Sequence, residues 1–224
     1  MRKLNKQIVL VLFLLLLFHH QGSAQNSAVG FTLGHNGGLT FRFHGLLSDF
    51  AQGFPLSVKL GIGYTSVDPG NAADARRIFI NDATNGTPEQ GGRVWDFRAD
   101  LLYTMKWFSP ARTYLFAGVR YALFSGNFKF IGGNEDFDVT SNPWGIGAGI
   151  EMHFKMTNQI DLVTTAGLDY YLNSELQGHD TTYSPDGENI NPRPGYSYKD
   201  ADKAVHQPKV ELLLMVGLNY HLGK

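Results

Sequence analysis

The 224-residue chain carries no cysteine and nearly balanced charge, 19 Lys+Arg against 20 Asp+Glu. Disulfides, thiolate metal sites, a cysteine nucleophile and a lipidated cysteine anchor are thereby excluded. Without a basic excess nothing would neutralise a phosphate backbone, so no nucleic-acid partner is expected.

The chain opens with basic Arg2, Lys3 and Lys6, continues through an unbroken apolar run over 8–18, and reaches the small residues Gly22, Ser23 and Ala24. That order is the order of a secretory signal, with cleavage expected after Ala24, so 1–24 is read as a signal peptide and 25–224 as one domain. A helix over 8–18 would reach only about 16 Å, against a bilayer core of about 30 Å. Removing 1–24 takes away three bases and no acid, which moves the formal net charge from −1 to −4. Nothing after residue 24 is long and apolar enough to cross a membrane as a helix.

Period-two alternation then predicts eight strands, over 28–34, 38–45, 55–66, 93–107, 113–124, 143–155, 159–172 and 208–222. The connections alternate in length. A short turn at Gly37-Gly38, a brief link over 46–55, and tight turns at 108–112 and 156–158 contrast with long segments over 67–92 and 173–207 and a medium loop over 125–142. The long segments hold turn formers such as Asp68-Pro69-Gly70, Asn85-Gly86-Thr87-Pro88 and Ser184-Pro185-Asp186-Gly187. Residues 75–80 are read as a short extra strand above the others.

The strand over 93–107 shows the pattern most clearly. Trp95, Phe97, Ala99, Leu101, Tyr103, Met105 and Trp107 alternate with Asp96, Arg98, Asp100, Leu102, Thr104 and Lys106. Successive strand residues point to opposite faces, so one face is apolar and the other charged. The apolar parity of all eight strands carries no charge, and the other parity is rich in glycine and charge. An eight-stranded barrel encloses little more than its own side chains. The bulky apolar set cannot fit inside, so it must point outward, where only lipid makes that favourable. The fold class expected is all-β, an eight-stranded antiparallel up-and-down transmembrane β-barrel with its long connections at one end.

Two residue sets follow. The inward parity places Arg42, Lys59, Asp96, Arg98, Asp100, Lys106, Arg120, Glu151, Asp161, Asp169, Lys209 and Glu211 in the lumen. Six bases and six acids there suggest a paired network that plugs the barrel rather than an ion path, because a bare buried charge costs several kcal/mol. The outward aromatics Trp95, Trp107, Tyr121, Trp144, Phe154, Tyr170 and Tyr220 are the expected interfacial girdles. Trp95 and Trp107 stand roughly 30 Å apart along the barrel axis, a membrane's thickness.

Catalytic signals are absent. There is no Gly-x-Ser-x-Gly, His-Glu-x-x-His or His-x-Ser arrangement, and neither a metal nor a cofactor is expected. His44, His153 and His221 share the inward parity near the short-turn ends. The acidic stretch 134–138 is read as a solvated loop in preference to a Ca²⁺ site. Tyr183, Tyr196 and Tyr198 are expected to pack the longest loop on the rim.

The small residues at 22–24, the opening Val29-Gly30-Phe31-Thr32-Leu33-Gly34 and Gly38-Leu39-Thr40-Phe41-Arg42-Phe43, and the closing Val216-Gly217-Leu218-Asn219-Tyr220-His221-Leu222 resemble the small outer-membrane β-barrels of Gram-negative bacteria. These are broadly OmpA/OmpX-like, and in particular like the porin-family or PorT-like barrels of the Bacteroidota. The resemblance covers the chain after the signal, although such families often end on an aromatic and here Tyr220 precedes Leu222-Gly223-Lys224. It implies an outer-membrane location and contact with outer-membrane lipid and lipopolysaccharide. It also implies a structural or surface-binding role, with a protein partner at 67–92 and 173–207. A small pore is the alternative, and a lipid A-modifying enzyme a more distant one.

Overall fold

Alternation decides which way each side chain points, and backbone pairing then decides the shape. The computed structural model describes residues 26–48, 55–109 and 111–222; the expected signal segment 1–24 lies outside the described residues. In chain order the elements are β1 (Asn26–Asn36), β2 (Leu39–Ser48), β3 (Leu56–Val67), α1 (Ala72–Phe79), β4 (Thr87–Met105), β5 (Arg112–Ile131), β6 (Asp136–Ser141), β7 (Trp144–Lys155), β8 (Ile160–Tyr171), β9 (Leu176–Gln177), β10 (Thr182–Tyr183), α2 (Tyr198–Ala204) and β11 (Val210–Leu222).

From β1 to β5 each strand pairs with the next; β5 then pairs with β7, β7 with β8, β8 with β11, and β11 returns to β1, all antiparallel. The expected eight-stranded up-and-down barrel is therefore closed. Its seam runs from Ser27 opposite Leu222 to Asn36 opposite Leu213. β6 and β7 occupy one barrel position, both paired to β5. Pro143 divides them because it has no N–H to give to a ladder. Its carbonyl still accepts from the Ala122 N–H at 3.0 Å.

Through the body of the barrel the two faces follow the alternation. Phe31, Ile62, Leu101, Val119 and Leu168 are exposed on the outside, while Thr32, Gly63, Asp100, Arg120 and Asp169 point inward. Above Trp95 the chemistry of the faces inverts. β4, β5 and β6 continue past the other strands, and there the inward side chains are Val94, Phe124, Phe128, Phe130, Phe137 and Val139. Their outward neighbours are Glu89, Arg93, Lys129, Asp136 and Asp138, all exposed. These upper strands behave as a sheet in water, apolar side in and charged side out.

The inverted sheet folds into a cap with its own core. α1 contributes Ala72, Ala75, Ile78 and Phe79, and the long connection after β8 contributes Leu176, Tyr183, Ala201, Ala204 and Val205. The two long connections are stitched together where the Asn71 N–H donates to the Ala204 carbonyl at 2.8 Å and the His206 N–H to that of Pro69 at 2.9 Å. Two readings of the sequence are corrected here. Residues 125–142 are not a medium loop, since 125–131 and 136–141 are strand. Alternation read only with its apolar parity outward stops at the lipid boundary, and above it that condition fails. Residues 75–80 are not a strand. They fall largely in α1, where Asn71 caps the helix by accepting from the Asp74 N–H at 3.0 Å and Ala72, Ala75, Ile78 and Phe79 turn one apolar face to the core.

Arg76 locks the cap. Its guanidinium, fully buried, donates to the Asn85 carbonyl at 2.7 Å and to Asn85 Oδ1 at 2.8 Å. It lies 3.4 Å from Glu135 Oε1, and its Cζ sits 4.4 Å from the centre of the Phe130 ring. Phe128→Ala, which empties the middle of this core, should cost the cap about 3–5 kcal/mol. Limited proteolysis should then cut within 68–86 and 172–209 while the barrel stays intact, and a wild-type cleavage rate would mean that the cap does not depend on this core.

Candidate functional site

The barrel lumen is built from the inward residues of all eight strand positions, and its charges fall into two groups. Nearer the cap they form one chain of alternating sign. Arg42 on β2 lies 3.4 Å from Asp96 on β4, and Asp96 is 2.9 Å from Arg98 Nε. Arg98 reaches across the lumen to Asp169 on β8 at 2.7 Å. Asp169 also takes Arg120 Nε at 2.8 Å, and Arg120 Nη1 ends the chain on Asp100 at 2.7 Å. Three guanidiniums thus meet three carboxylates, all buried. Glycine makes the crossing possible, because a Cβ on Gly147 would stand 2.0 Å from Asp169 Oδ1 and 2.5 Å from Arg120 Nη2.

Nearer the short turns the second group centres on two carboxylates. Glu151 takes Lys59 Nζ at 2.5 Å, His153 Nε2 at 2.8 Å and the Thr165 hydroxyl at 3.0 Å. Asp161 takes His221 Nε2 at 2.6 Å and also Arg112. His44 Nε2 lies 2.6 Å from Asn219 Oδ1, so in this arrangement the ring donates there. Leu46, Leu102, Tyr114, Phe116, Leu213 and Met215 pack as a buried apolar cluster within the barrel. A void of about 10 Å³ remains where the two groups approach, lined by Arg42, Lys59, Arg98, Asp100 and Glu151 among others. That is room for about one water molecule. A second void, of about 20 Å³, lies near the mouth against Asn36, Asp96, Tyr171 and Glu211.

Of the twelve charges assigned to the lumen, Arg42, Lys59, Asp96, Arg98, Asp100, Arg120, Glu151, Asp161 and Asp169 are buried there. Two of the other three are corrected. Lys106 is exposed beyond the end of β4, and Lys209 is exposed just before β11, where its Nζ pairs with Asp202 at 2.5 Å. Alternation assigns a face only while a neighbouring strand holds the backbone, and Lys106 lies past that limit; the Lys209 carbonyl still accepts from the Tyr171 N–H at 2.6 Å, but its side chain leaves the rim for Asp202. Glu211 keeps the inward side, opposite Asp169, and is half-buried at the mouth. Arg112 escapes the sequence reading because it is the first residue of β5, one position before the predicted strand. Thr165, Asn219, Tyr114, Phe116, Leu213 and Met215 share the inward parity, the signal by which they could be found.

The aromatic set divides by height. Trp95, Tyr121, Trp144 and Tyr170 face outward beneath the cap, with Trp95 against Tyr64 (ring centres 5.1 Å apart) and Tyr121 against Trp144 (4.8 Å). Phe154 and Tyr220 face outward near the short turns, and Trp107 is exposed beyond the end of β4. The acidic stretch over 134–138 is part turn and part strand: 134 and 135 precede β6, with Glu135 facing Arg76, and within β6 the exposed Asp136 and Asp138 each accept from the Asn127 amide at 2.9 Å. Among the described residues no cluster of three or more His, Asp or Glu could hold a metal ion. Tyr183 is buried in the cap, where its hydroxyl donates to the Ile78 carbonyl at 3.2 Å and burial raises its pKa. Tyr196 and Tyr198 pack against the same core.

Asp169→Asn leaves Arg98 and Arg120 short of a carboxylate in a buried site and should destabilise the barrel by about 3–5 kcal/mol. Lys209→Met breaks an exposed pair and should cost at most about 1 kcal/mol. Urea unfolding in detergent micelles measures both, and equal losses would contradict the division between lumen and rim.

No protein-family model matches the sequence, and no curated protein matches it. Solved structures do. A major outer membrane protein from Thermus thermophilus is 25% identical, the match covering 89% of this chain and 100% of that one with a TM-score of 0.72. Neisserial surface protein A matches at 12% identity over 88% of this chain and 94% of its own, with a TM-score of 0.41. Ail, the attachment invasion locus protein of Yersinia pestis, matches at 11% over 88% and 97%, with a TM-score of 0.42. A closed barrel with an uncharged apolar exterior is stable in only one kind of surroundings, and the likeness to the Thermus protein over 89% of the chain says which membrane provides them: the chain is a small eight-stranded β-barrel protein of the outer membrane.

Proposed function

We propose that this protein is a non-catalytic component of the cell envelope that passes no solute and works through its cap, binding a ligand or another protein outside the cell. The long connections of such barrels lie on the extracellular side, so the cap faces outward. The observation that carries the reading is that the connections over 68–86 and 172–209 do not act as two separate loops. They share one core with the upper ends of β4, β5 and β6, and that core sits across the barrel's mouth. A surface held this way is rigid and pre-organised, which lowers the entropic cost of binding. It presents a groove of about 190 Å³ between α1 and α2, lined by Asp74, Arg77, Ile78, Tyr196, Asp200 and Lys203.

The lumen supports the same reading. Its charges are paired across the barrel, and the voids between them have the volume of single waters. The three inward histidines fit the same reading. His44, His153 and His221 are turned to Asn219, Glu151 and Asp161 inside the barrel, not to a nucleophile on the lipid face.

Planar-bilayer recording tests the closed lumen. Wild type should give no single-channel steps, and neither should Phe128→Ala, because loosening the cap leaves the charge network beneath it in place. Reproducible unitary steps from wild type would overturn the reading. The cap's role is tested by Arg77→Glu combined with Lys203→Glu, two exposed positions. Barrel assembly should be unchanged, whereas partners cross-linked to the cap on intact cells should be lost. An unchanged cross-linking pattern would remove the groove from the proposal.

A further inference from the structure

The outer wall of the barrel holds a second recess, unrelated to the cap's groove. It lies where the exterior changes from apolar to polar, on β3 to β6 beside the end of β3, where Val67, Gln90 and Gly92 of the inward parity also line it, and its volume is about 570 Å³. Tyr64, Gly91, Arg93, Ser125, Asn127 and Asp138 form most of its wall. Its height follows from the register. Tyr64, Trp95 and Leu123 stand side by side on neighbouring strands, and Ser66, Arg93 and Ser125 form the next outward row above them. Two residues of a tilted strand rise about 5 Å. The recess therefore starts directly above the interfacial Tyr64–Trp95 pair, at the level of the outer leaflet's headgroups.

Its chemistry is specific. Arg93 is exposed and, among the described residues, has no carboxylate within ion-pair distance. Its guanidinium is a planar fork suited to a phosphate. The remaining wall offers amide, hydroxyl and carboxylate groups, with Asp138 held in place by the Asn127 amide at 2.9 Å. These groups match sugar hydroxyls. Gly91 has no side chain, and nothing lies within 4 Å of where its Cβ would be, so the recess is open at that point. Immediately below, on the same strands, Ile62, Phe97 and Leu123 present an exposed apolar surface to lipid. A phosphate site, a hydroxyl-binding wall and a track for acyl chains thus follow one another down one face.

We propose that this recess binds the phosphorylated sugar headgroup of an outer-leaflet glycolipid, with Arg93 on a phosphate, Asn127, Asp138 and Ser125 on sugar hydroxyls, and the acyl chains lying along Ile62, Phe97 and Leu123. The site is on the outside of the barrel, so it stands or falls separately from the role of the cap.

Native mass spectrometry of the full chain in detergent micelles tests it, with three probes: bisphosphorylated lipid A, the same lipid with its phosphates removed, and phosphatidylglycerol. Wild type should retain lipid A in preference to both others. Arg93→Gln should lower lipid A retention about ten-fold, the effect expected for one charge-assisted pair, and should have little effect on the dephosphorylated lipid. Gly91→Leu should block both sugar lipids by filling the recess. Arg77→Glu in the cap's groove should change nothing, which separates this site from the proposed function. Both test positions are exposed, and the comparison of probes on wild type needs no variant. Equal retention of phosphatidylglycerol and lipid A would mean a general lipid surface only and would overturn the proposal. So would wild-type retention of lipid A by both Arg93→Gln and Gly91→Leu.

Discussion

Hydrocarbon cannot hydrogen-bond, so every backbone N–H and C=O that enters it must find a partner in the protein. For strands that means a sheet with no free edge. Here the requirement is met where β11 pairs with β1 from Ser27–Leu222 to Asn36–Leu213. Eight strand positions closed in this way enclose a narrow cylinder. The narrowness dictates the interior: glycine where side chains must pass one another, as at Gly147, and charges only where each meets its opposite. Asp169 between Arg98 and Arg120 is the clearest case, one carboxylate joining three strands across the lumen. The pairing compensates a desolvation cost imposed by the closure itself.

The same strands serve two solvents. In β4 and β5 the alternation runs unbroken through Trp95 and Leu123, yet the apolar side is outward below that level and inward above it. Neither the backbone nor the register changes at the crossing. Phe97 meets lipid, and Phe124, on the opposite parity, meets the cap core. One continuous sheet therefore builds a membrane barrel and the floor of an aqueous domain, and the cap needs no linker to hold it in place. The proposed glycolipid recess lies at this crossing, where an outward face is already polar but still level with the membrane.

Most of the membrane-embedded part was legible in the sequence because its rule is local. Trp95-Asp96-Phe97-Arg98 declares two faces, and nine of the twelve charges chosen on that basis are buried in the lumen. The failures mark the limits of that rule. Lys106 lies past the end of its strand, where the rule has no force, and Lys209 sits at the rim, where its long side chain turns out to Asp202. Phe128, Phe130, Phe137 and Val139 alternate as regularly as any lipid-facing run, but their phase is opposite. A reading tied to apolar-outward therefore takes 125–142 for a loop. Ala72, Ala75, Ile78 and Phe79 carry helical spacing, which the compact run Arg76-Arg77-Ile78-Phe79-Ile80 disguises as a strand. The cap groove and the outer recess were not legible, because each joins residues from separate elements that only the fold brings together.

The cage around Arg76 has a mechanical consequence. Its parts come from two distant stretches, residues 76 and 85 ahead of β4 and residues 130 and 135 around the end of β5. It can close only after both β4 and β5 have delivered their tips across the bilayer. Once closed, it works as a collar: sliding those strands back would carry a guanidinium and its acidic companion into hydrocarbon, at a cost of several kcal/mol for each ion. The barrel's depth in its membrane is thus set from above by a part that never touches lipid.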